Sequence, residues 1–227
     1  MKTIGILGGM GPLATADLFR KIIVMTPATS DQQHIRVLVD SNTAIPDRTN
    51  AILAGGESPL PEMVRSAIGL EGMGADFLLM PCNTAHYFYD ALLPYVRVPV
   101  LHMIRETLRE ARSRGFRRVG LLATDGTCQT GVYDAVFAGG GVELIKPDAE
   151  GQAEVMRVIY QGVKAGAAHY DTESLECVFA ALEAKGAETL ILGCTELPLA
   201  FGMYGIVHAA IDPASVLAAA AIREAMR

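Results

Sequence analysis

Residues 74–84 read GADFLLMPCNT and residues 186–196 read GAETLILGCTE, and this repeat decides the fold. A shift of 112 residues superposes the glycine, the alanine, the acidic residue, the apolar run and the cysteine. Each apolar run is long enough for one buried strand, and the small polar residues after each cysteine are typical of a helix start. The repeat therefore predicts two similar domains that place Cys82 and Cys194 on opposite sides of a shared cleft.

The repeat extends beyond the cysteines. Residues 4–11 (IGILGGMG) resemble residues 119–126 (VGLLATDG), and residues 100–102 (VLH) resemble residues 206–208 (IVH). Strands are predicted at 3–8, 35–40, 77–82 and 98–102, and again at 117–123, 142–146, 189–194 and 206–209. Because helical segments lie between them, the predicted fold class is α/β, with a short parallel sheet flanked by helices in each domain.

The end of the chain bears on the domain boundaries. Asp212-Pro213 opens a last, alanine-rich helix that runs to about Met226 and has no strand after it. We expect this helix to return to the first sheet. The predicted domains are residues 1–98 with 210–227, which carry Cys82, and residues 99–209, which carry Cys194.

Composition argues against several classes of partner. The 227 residues are 51% hydrophobic and carry a net charge of −6 without a basic cluster, so nucleic acid is not expected as a partner. The longest uncharged stretch, residues 197–211, is shorter than the roughly 18 residues of a membrane span, so no membrane partner is expected. The first residues do not read as a signal peptide. Four cysteines without a CxxC pair suit a reducing compartment, and the predicted location is the cytoplasm.

The four cysteines divide into two kinds. Cys82 and Cys194 each follow a strand at a helix start, where ligands bind in open α/β sheets and where a thiolate is stabilised. Cys177 lies inside a predicted helix, Thr172–Lys185, between Leu175 and Val178, and is interpreted as core packing. Cys128 sits at the start of another helix and is interpreted as structural or as lying near the cleft.

Five short motifs resemble the aspartate/glutamate racemase family. They are residues 8–12 (GGMGP), 45–49 (IPDRT), 81–86 (PCNTAH), 123–127 (ATDGT) and 193–198 (GCTELP). The resemblance implies two α/β domains related by pseudo-two-fold duplication, a homodimer, and racemisation of a small amino-acid substrate without a cofactor. The opening GGMGP is closer to the aspartate racemase branch than to the glutamate racemases of cell-wall synthesis. Aspartate is therefore the expected substrate, with glutamate as a possibility.

Racemisation suits two opposed thiols. One group removes the Cα proton from one face, and the other returns a proton to the opposite face of the planar intermediate. A single base would have to move around the substrate, whereas a thiolate and a thiol exchange roles when the other enantiomer is bound. Cys82 and Cys194 are the predicted catalytic pair. Neither a metal nor a cofactor is expected.

Nine residues are candidates for substrate binding: Met10, Arg48, Asn83, Thr84, Thr124, Thr127, Lys164, Thr195 and Glu196. The asparagine and the threonines follow strand ends and offer hydrogen-bond donors for the charge that develops on the substrate. The resemblance implies that Met10 contributes its backbone and that Arg48 and Lys164 grip carboxylates from opposite domains. Glu196 is expected to hold the substrate ammonium or to orient the acid.

Other functions have support in the sequence. Residues 9–14 (GMGPLA) satisfy the dinucleotide-binding pattern GxGxxG/A, with Asp40 as a ribose-binding acid, but this leaves the repeated cysteine segments unexplained. Cys82, His86 and Cys194 offer a weak metal-binding pattern. None of the five lysines has a motif for pyridoxal chemistry. A maleate-isomerase-like enzyme of the same superfamily and a catalytically silent amino-acid-binding protein remain alternatives.

Overall fold

The computed structural model describes all 227 residues and divides the chain into two compact units. The first unit is Met1–Glu106 with Ala214–Arg227, and the second is Thr107–Pro213. The predicted second domain, residues 99–209, begins eight residues and ends four residues earlier than the observed second unit. None of the helices combines the length and the apolar character that a transmembrane span requires.

The first unit contains a four-stranded parallel sheet with the strand order β2-β1-β3-β4. Its elements in chain order are β1 (Ile4–Gly8), α1 (Pro12–Met25), β2 (Val37–Ser41), α2 (Arg48–Leu53), α3 (Leu60–Gly72), β3 (Phe77–Leu79), α4 (Tyr89–Leu92), β4 (Val100–Leu101) and the start of α5 (Met103–Ser113). Short 3₁₀ helices lie at Asp31–Gln33, Thr84–Phe88 and Leu93–Tyr95.

The second unit repeats this plan with the strand order β6-β5-β7-β8, again all parallel. Its elements are β5 (Arg118–Leu122), α6 (Asp125–Thr130), α7 (Val132–Phe137), β6 (Glu143–Ile145), α8 (Ala149–Arg157), a π-helical segment (Val158–Val163), α9 (Glu173–Ala184), β7 (Leu190–Leu192), α10 (Glu196–Tyr204) and β8 (Ala210–Ile211). The chain then enters α11 (Pro213–Ala225). Two parallel four-stranded sheets flanked by helices confirm the predicted fold class.

The alternation of buried side chains along β1 explains why helices cover both faces of the first sheet. Ile4 and Ile6 belong to the core that α1 and α11 close, whereas Leu7 belongs to the core that α3 closes. Successive strand residues point to opposite faces, so a fully apolar strand needs cover on both. The expected return of the last helix is observed, since Leu217 and Ala221 of α11 are fully buried in the first of these cores.

The repeat has a physical basis in the strand register. Gly5 of β1 lies opposite Leu78 of β3, and Gly120 of β5 lies opposite Leu190 of β7. A Cβ added at Gly5 would lie 2.6 Å from Leu78 Cδ2, and one added at Gly120 would lie 2.8 Å from Leu190 Cδ2. Both units therefore require glycine where a leucine of the neighbouring strand packs across the sheet.

The prediction for the last strand was wrong by four residues. The strand predicted at 206–209 lies at Ala210–Ile211, so the counterpart of Val100 in the repeat is Ala210. Gly205 ends α10 in the left-handed conformation, with φ 69°. Ile206 then donates its N–H to Phe201 O and packs into the core as the apolar residue after a helix cap. Val207 is 94% exposed, which rules it out as a residue of a buried strand.

Cys177 was also misinterpreted, since it is exposed. The buried residues of α9 are Leu175, Val178, Phe179 and Leu182, spaced three or four apart along one face. Adjacent residues point about 100° apart around a helix, so the apolar neighbours of Cys177 in sequence do not bring it into the core.

Candidate active site

The strand order fixes where ligands can bind in each unit. The chain moves outward from β1 to β2 on one side and then returns to β3 on the other, so the carboxyl ends of β1 and β3 flank a topological switch point. Met10 follows β1 and Cys82 follows β3. In the second unit Thr124 follows β5 and Cys194 follows β7, at the equivalent switch point. Each unit therefore presents one cysteine beside one loop at the expected edge of its sheet.

Other residues of the chain occupy the space next to the glycine turn after β1. A Cβ added at Gly8 would lie 2.3 Å from Thr15 Cγ2, and one added at Gly9, whose φ is 88°, would lie 2.3 Å from the backbone of Asn42. Thr15 Oγ1 accepts the Gly9 N–H at 2.9 Å and donates to Gly11 O at 2.9 Å. These glycines leave room for neighbouring segments of this chain, so the close approach needs no dinucleotide pyrophosphate to explain it.

Cys82 is buried in a short irregular segment between β3 and the 3₁₀ helix Thr84–Phe88. Its N–H donates to Met80 O at 2.9 Å, and its carbonyl oxygen lies 2.8 Å from Nδ1 of His86. Asn83 and Thr84 are also buried, with 2% and 6% of their surfaces exposed. All three come soon after β3 in the chain, as predicted, and Cys82 belongs to the same buried cluster as Met10.

His86 is neutral and enclosed by rings. Burial lowers the pKa of His86 to about 4, and the positive charge of Arg105 acts in the same direction. The His102 ring lies 4.6 Å from the His86 ring, and the Tyr89 ring stacks at 6.1 Å. Both ring nitrogens of His86 contact main-chain groups, the second being the N–H of Met103 at 3.1 Å. In this arrangement His86 has no nitrogen left for the metal site that its spacing from Cys82 suggested.

Arg48 is a buried cation held by backbone oxygens. It begins α2, and only 7% of its surface is exposed. Nη1 donates to Ile45 O at 3.2 Å and to Pro46 O at 2.8 Å, and Nη2 donates to Met10 O at 3.3 Å. Nε has no hydrogen-bond partner. Of the five N–H groups of a guanidinium, the Nε–H and one on Nη2 therefore lack an acceptor, which is the pair that a carboxylate binds in bidentate fashion.

Cys194 lies beside the carboxylate of Glu196, whereas Cys82, its counterpart in the repeat, has no carboxylate as a hydrogen-bond partner. It is buried just before α10, and its Sγ donates to Glu196 Oε2 at 3.0 Å. Thr195 Oγ1 lies 3.4 Å from the same oxygen, and both Thr195 and Glu196 are buried. Burial raises the pKa of the Cys194 thiol well above its usual value, and the negative charge of Glu196 raises it further. Cys194 therefore rests as a thiol in this arrangement.

The loop after β5 is closed by hydroxyl groups. Thr124 caps α6 by accepting the N–H of Thr127 at 3.3 Å, and both threonines are buried. Gln152 of α8 donates through Nε2 to Ala123 O at 2.9 Å and to Asp125 Oδ1 at 2.8 Å. The sequence prediction named the two threonines but missed Gln152, because a residue in α8, two helices beyond α6, gives no local signal that it supports this loop.

Two further residues of the second unit lie near these groups. Cys128 is partly buried in α6, 3.6 Å from Gln152 Oε1, and burial raises the pKa of its thiol to about 11. Lys164 directly follows the π-helical segment and is exposed, with Nζ 4.6 Å from the centre of the Tyr160 ring. Its positive charge acts on Cys194 and partly offsets the rise in the pKa of that thiol.

The chain resembles known proteins in both sequence and structure. A family model described as Asp/Glu/hydantoin racemase matches residues 7–221. The chain belongs to this family. The solved structure of the Picrophilus torridus aspartate racemase superposes with a TM-score of 0.86 and 33% sequence identity, covering 100% of this chain and 95% of that one.

Two relatives show the range of the family. The broad specificity amino-acid racemase RacX of Bacillus subtilis is 29% identical over 198 residues, which cover 86% of this chain and 85% of RacX. A glutamate racemase of Shewanella loihica is 28% identical over 156 residues, which cover 66% of this chain and 58% of that protein. This chain is therefore a member of a family of amino-acid racemases.

Proposed function

We propose that this protein racemises an acidic amino acid, with aspartate as the main substrate, by a two-base reaction of Cys82 and Cys194 without a cofactor. The observation that carries the proposal is the equivalent position of the two thiols, each in the segment that follows the third strand of its unit in sheet order. The proposed reaction requires one sulfur on each face of the substrate Cα.

The hydrogen bond between Cys194 and Glu196 gives the reaction a starting point. Cys194 rests as a thiol, because its proton is held by Glu196 and burial disfavours the thiolate. Cys82 has no acidic hydrogen-bond partner of this kind. We assign Cys82 as the base and Cys194 as the acid of the first half-reaction. For the other enantiomer, Cys194 must first lose its proton, and Glu196 and the charge of Lys164 are the groups that act on this step.

The charge that develops on the substrate requires donors. Removal of the Cα proton sends negative charge into the α-carboxylate, and fixed N–H and O–H groups stabilise it most when they are already in place. Asn83, Thr84 and Thr127 are buried in the segments that follow β3 and β5, and they are assigned to this task. Met10 takes part through its backbone, since its carbonyl oxygen orients Arg48.

The preference for a dicarboxylate rests on Arg48. A buried charge without an ionic partner is unfavourable, and three carbonyl oxygens compensate a full positive charge only in part. A carboxylate in the substrate side chain would give the Arg48 guanidinium an ionic partner, and we assign Lys164 as a second cation for the same carboxylate. The aspartate racemase of Picrophilus torridus supports aspartate, whereas RacX supports a broader range.

The test is incubation of the protein with L-aspartate, D-aspartate, L-glutamate and L-alanine, separately, in D₂O. Chiral chromatography follows inversion, and mass spectrometry follows uptake of deuterium at Cα. We expect either enantiomer of aspartate to reach a racemic mixture, alanine turnover to be negligible, and dialysis against EDTA to leave the rate unchanged. Metal-dependent activity would contradict the proposal.

Cysteine variants separate the proposed mechanism from the alternatives. Cys82→Ala and Cys194→Ala should each abolish racemisation, whereas Cys177→Ala, which changes an exposed thiol, is the matched control and should keep the wild-type rate. Racemisation at near wild-type rate in either active-site variant would refute the two-base reaction. Isomerisation of maleate, or binding of amino acids without exchange at Cα, would favour the two alternative functions. The expected homodimer is a separate proposal, which sedimentation equilibrium tests.

A further inference from the structure

We propose that His86 is a positioning residue, which fixes the backbone of Cys82 and so the place of its sulfur. This inference rests on the proposed function, in which Cys82 is a base. His86 itself is not assigned a proton-transfer role. The grounds are the two main-chain contacts of its ring and a difference between the two halves of the repeat.

The ring of His86 joins two backbone groups that belong to different elements. Nδ1 lies 2.8 Å from Cys82 O, and Nε2 lies 3.1 Å from the N atom of Met103, at the start of α5. A backbone N–H can only donate, so Nε2 must be the acceptor and the proton of the neutral ring must be on Nδ1. Nδ1–H therefore donates to the carbonyl oxygen of Cys82.

The second unit shows what His86 replaces. The carbonyl oxygen of Cys194 accepts the backbone N–H of Leu197 at 3.0 Å, as part of the turn that begins α10. Ala85 is the counterpart of Leu197 under the shift of 112 residues, and its N–H makes no such bond to Cys82 O. The donor to the Cys82 carbonyl is a side chain, so the segment after β3 depends on His86 where the segment after β7 depends on the backbone.

The surroundings of His86 hold the ring in this orientation. His102 packs against it with ring centres 4.6 Å apart, and Tyr89 stacks on it with 6° between the ring planes. Tyr89 is fixed in turn, because its hydroxyl donates to Val100 O at 2.9 Å. With both nitrogens engaged, rotation of the His86 ring would break two hydrogen bonds inside the core. The ring is therefore suited to holding Cys82 in place and not to shuttling its proton.

Two substitutions separate the two hydrogen bonds. In His86→Asn, the side-chain amide can occupy the place of Nδ1–H and donate to Cys82 O, but nothing reaches Met103. In His86→Gln, the side-chain oxygen can occupy the place of Nε2 and accept from Met103, but the Cys82 carbonyl loses its donor. Both variants remove one buried hydrogen bond and should unfold at similarly reduced temperatures.

The catalytic rates should differ. A displacement of about 1 Å at a reacting group costs about 100-fold in rate, so we expect His86→Gln to lower kcat by about that factor with little change in KM, and His86→Asn to lose less than about tenfold. Alkylation of Cys82 by iodoacetamide, followed by peptide mass spectrometry, should change in the Gln variant and stay near wild type in the Asn variant. Equal losses of kcat in the two variants, in proportion to their loss of thermal stability, would refute the positioning role.

The wild-type protein provides a test that does not depend on the folding of a variant. Nitrogen-15 NMR of the histidine side chains should show His86 neutral, with its proton on Nδ1. A proton on Nε2 would overturn the proposal. If the wild-type protein racemises no amino acid, the proposed function fails, whereas the tautomer and the alkylation of Cys82 still decide whether His86 positions that cysteine.

Discussion

The neutral, buried His86 should make the first unit sensitive to acid. The pKa of His86 falls from 6.5 to about 4 on folding, chiefly because burial disfavours the charged ring. Between these two values the unfolded chain binds a proton that the native protein does not, so the stabilising contribution is complete above pH 6.5 and is lost as the pH falls towards 4. Linkage gives a loss of about 2 kcal/mol in the free energy of unfolding between pH 7 and pH 5 from this residue alone.

The assay is urea unfolding at pH 7 and at pH 5, followed by NMR signals of amides in β1 and β3, which report the first unit separately from the second. The wild-type protein and His86→Asn are compared, with the exposed His169→Asn as the control. The pH-dependent loss should be about 2 kcal/mol smaller in His86→Asn than in the other two proteins. His102, whose pKa burial lowers to about 3, contributes to all three. An equal loss in all three proteins would show that His86 titrates normally and would refute the reasoning.

Three further predictions follow from single contacts. Gly5→Ala should lower the free energy of unfolding by about 1–3 kcal/mol, because its Cβ would lie 2.9 Å from Ala75 Cβ. Gly69→Ala, in an open position of α3, should instead raise the free energy of unfolding by up to about 1 kcal/mol. Urea unfolding measures both changes. Glu196→Gln should lower the pKa of Cys194, measured as the pH dependence of its alkylation, and an unchanged profile would mean that Glu196 does not hold the thiol proton. Arg48→Lys keeps the charge but not the fork of donors, so KM for aspartate should rise about tenfold or more while KM for a neutral amino acid, if one is turned over, stays unchanged.

The fold was predictable because the repeat marks the elements that the sheet needs. An apolar run closed by a cysteine occurs twice, and both runs are fully buried strands, Phe77–Leu79 and Leu190–Leu192. The same reasoning failed at residues 206–208, where three letters resemble those at 100–102. There the left-handed Gly205 ends a helix, and the apolar residues serve its cap and not a strand. Short apolar runs do not distinguish these two uses without the turn that precedes them.

The candidate site was predictable only in part, because the sequence indicates which residues lie near the strand ends but not which groups their side chains contact. The cysteines, the asparagine and the threonines follow from their places after strands. Nothing in the sequence reveals that Arg48 is buried among carbonyl oxygens. The position of Glu196 two residues after Cys194 left two roles open, and the hydrogen bond to the thiol corresponds to one of them. The spacing of Cys82 and His86 suggests a metal ligand. It does not reveal the second partner of the ring, Met103, which lies 17 residues further along the chain.

The difference between the two halves of the repeat limits what kinetic measurements can show. Thr84 stands where Glu196 stands in the repeat, so only one of the two cysteines has a carboxylate beside its thiol. The two enantiomers of an amino acid have equal free energies, so kcat/KM must be the same in both directions at every pH, however unequal the two thiols are. The asymmetry can therefore appear only as a difference in kcat that is matched by an equal difference in KM. In the proposed mechanism, the enantiomer that needs Cys194 as its base binds the form of the enzyme in which Cys194 is a thiolate. Glu196 disfavours this form. Removal of that carboxylate should bring the two values of kcat closer together while the two values of kcat/KM remain equal to each other.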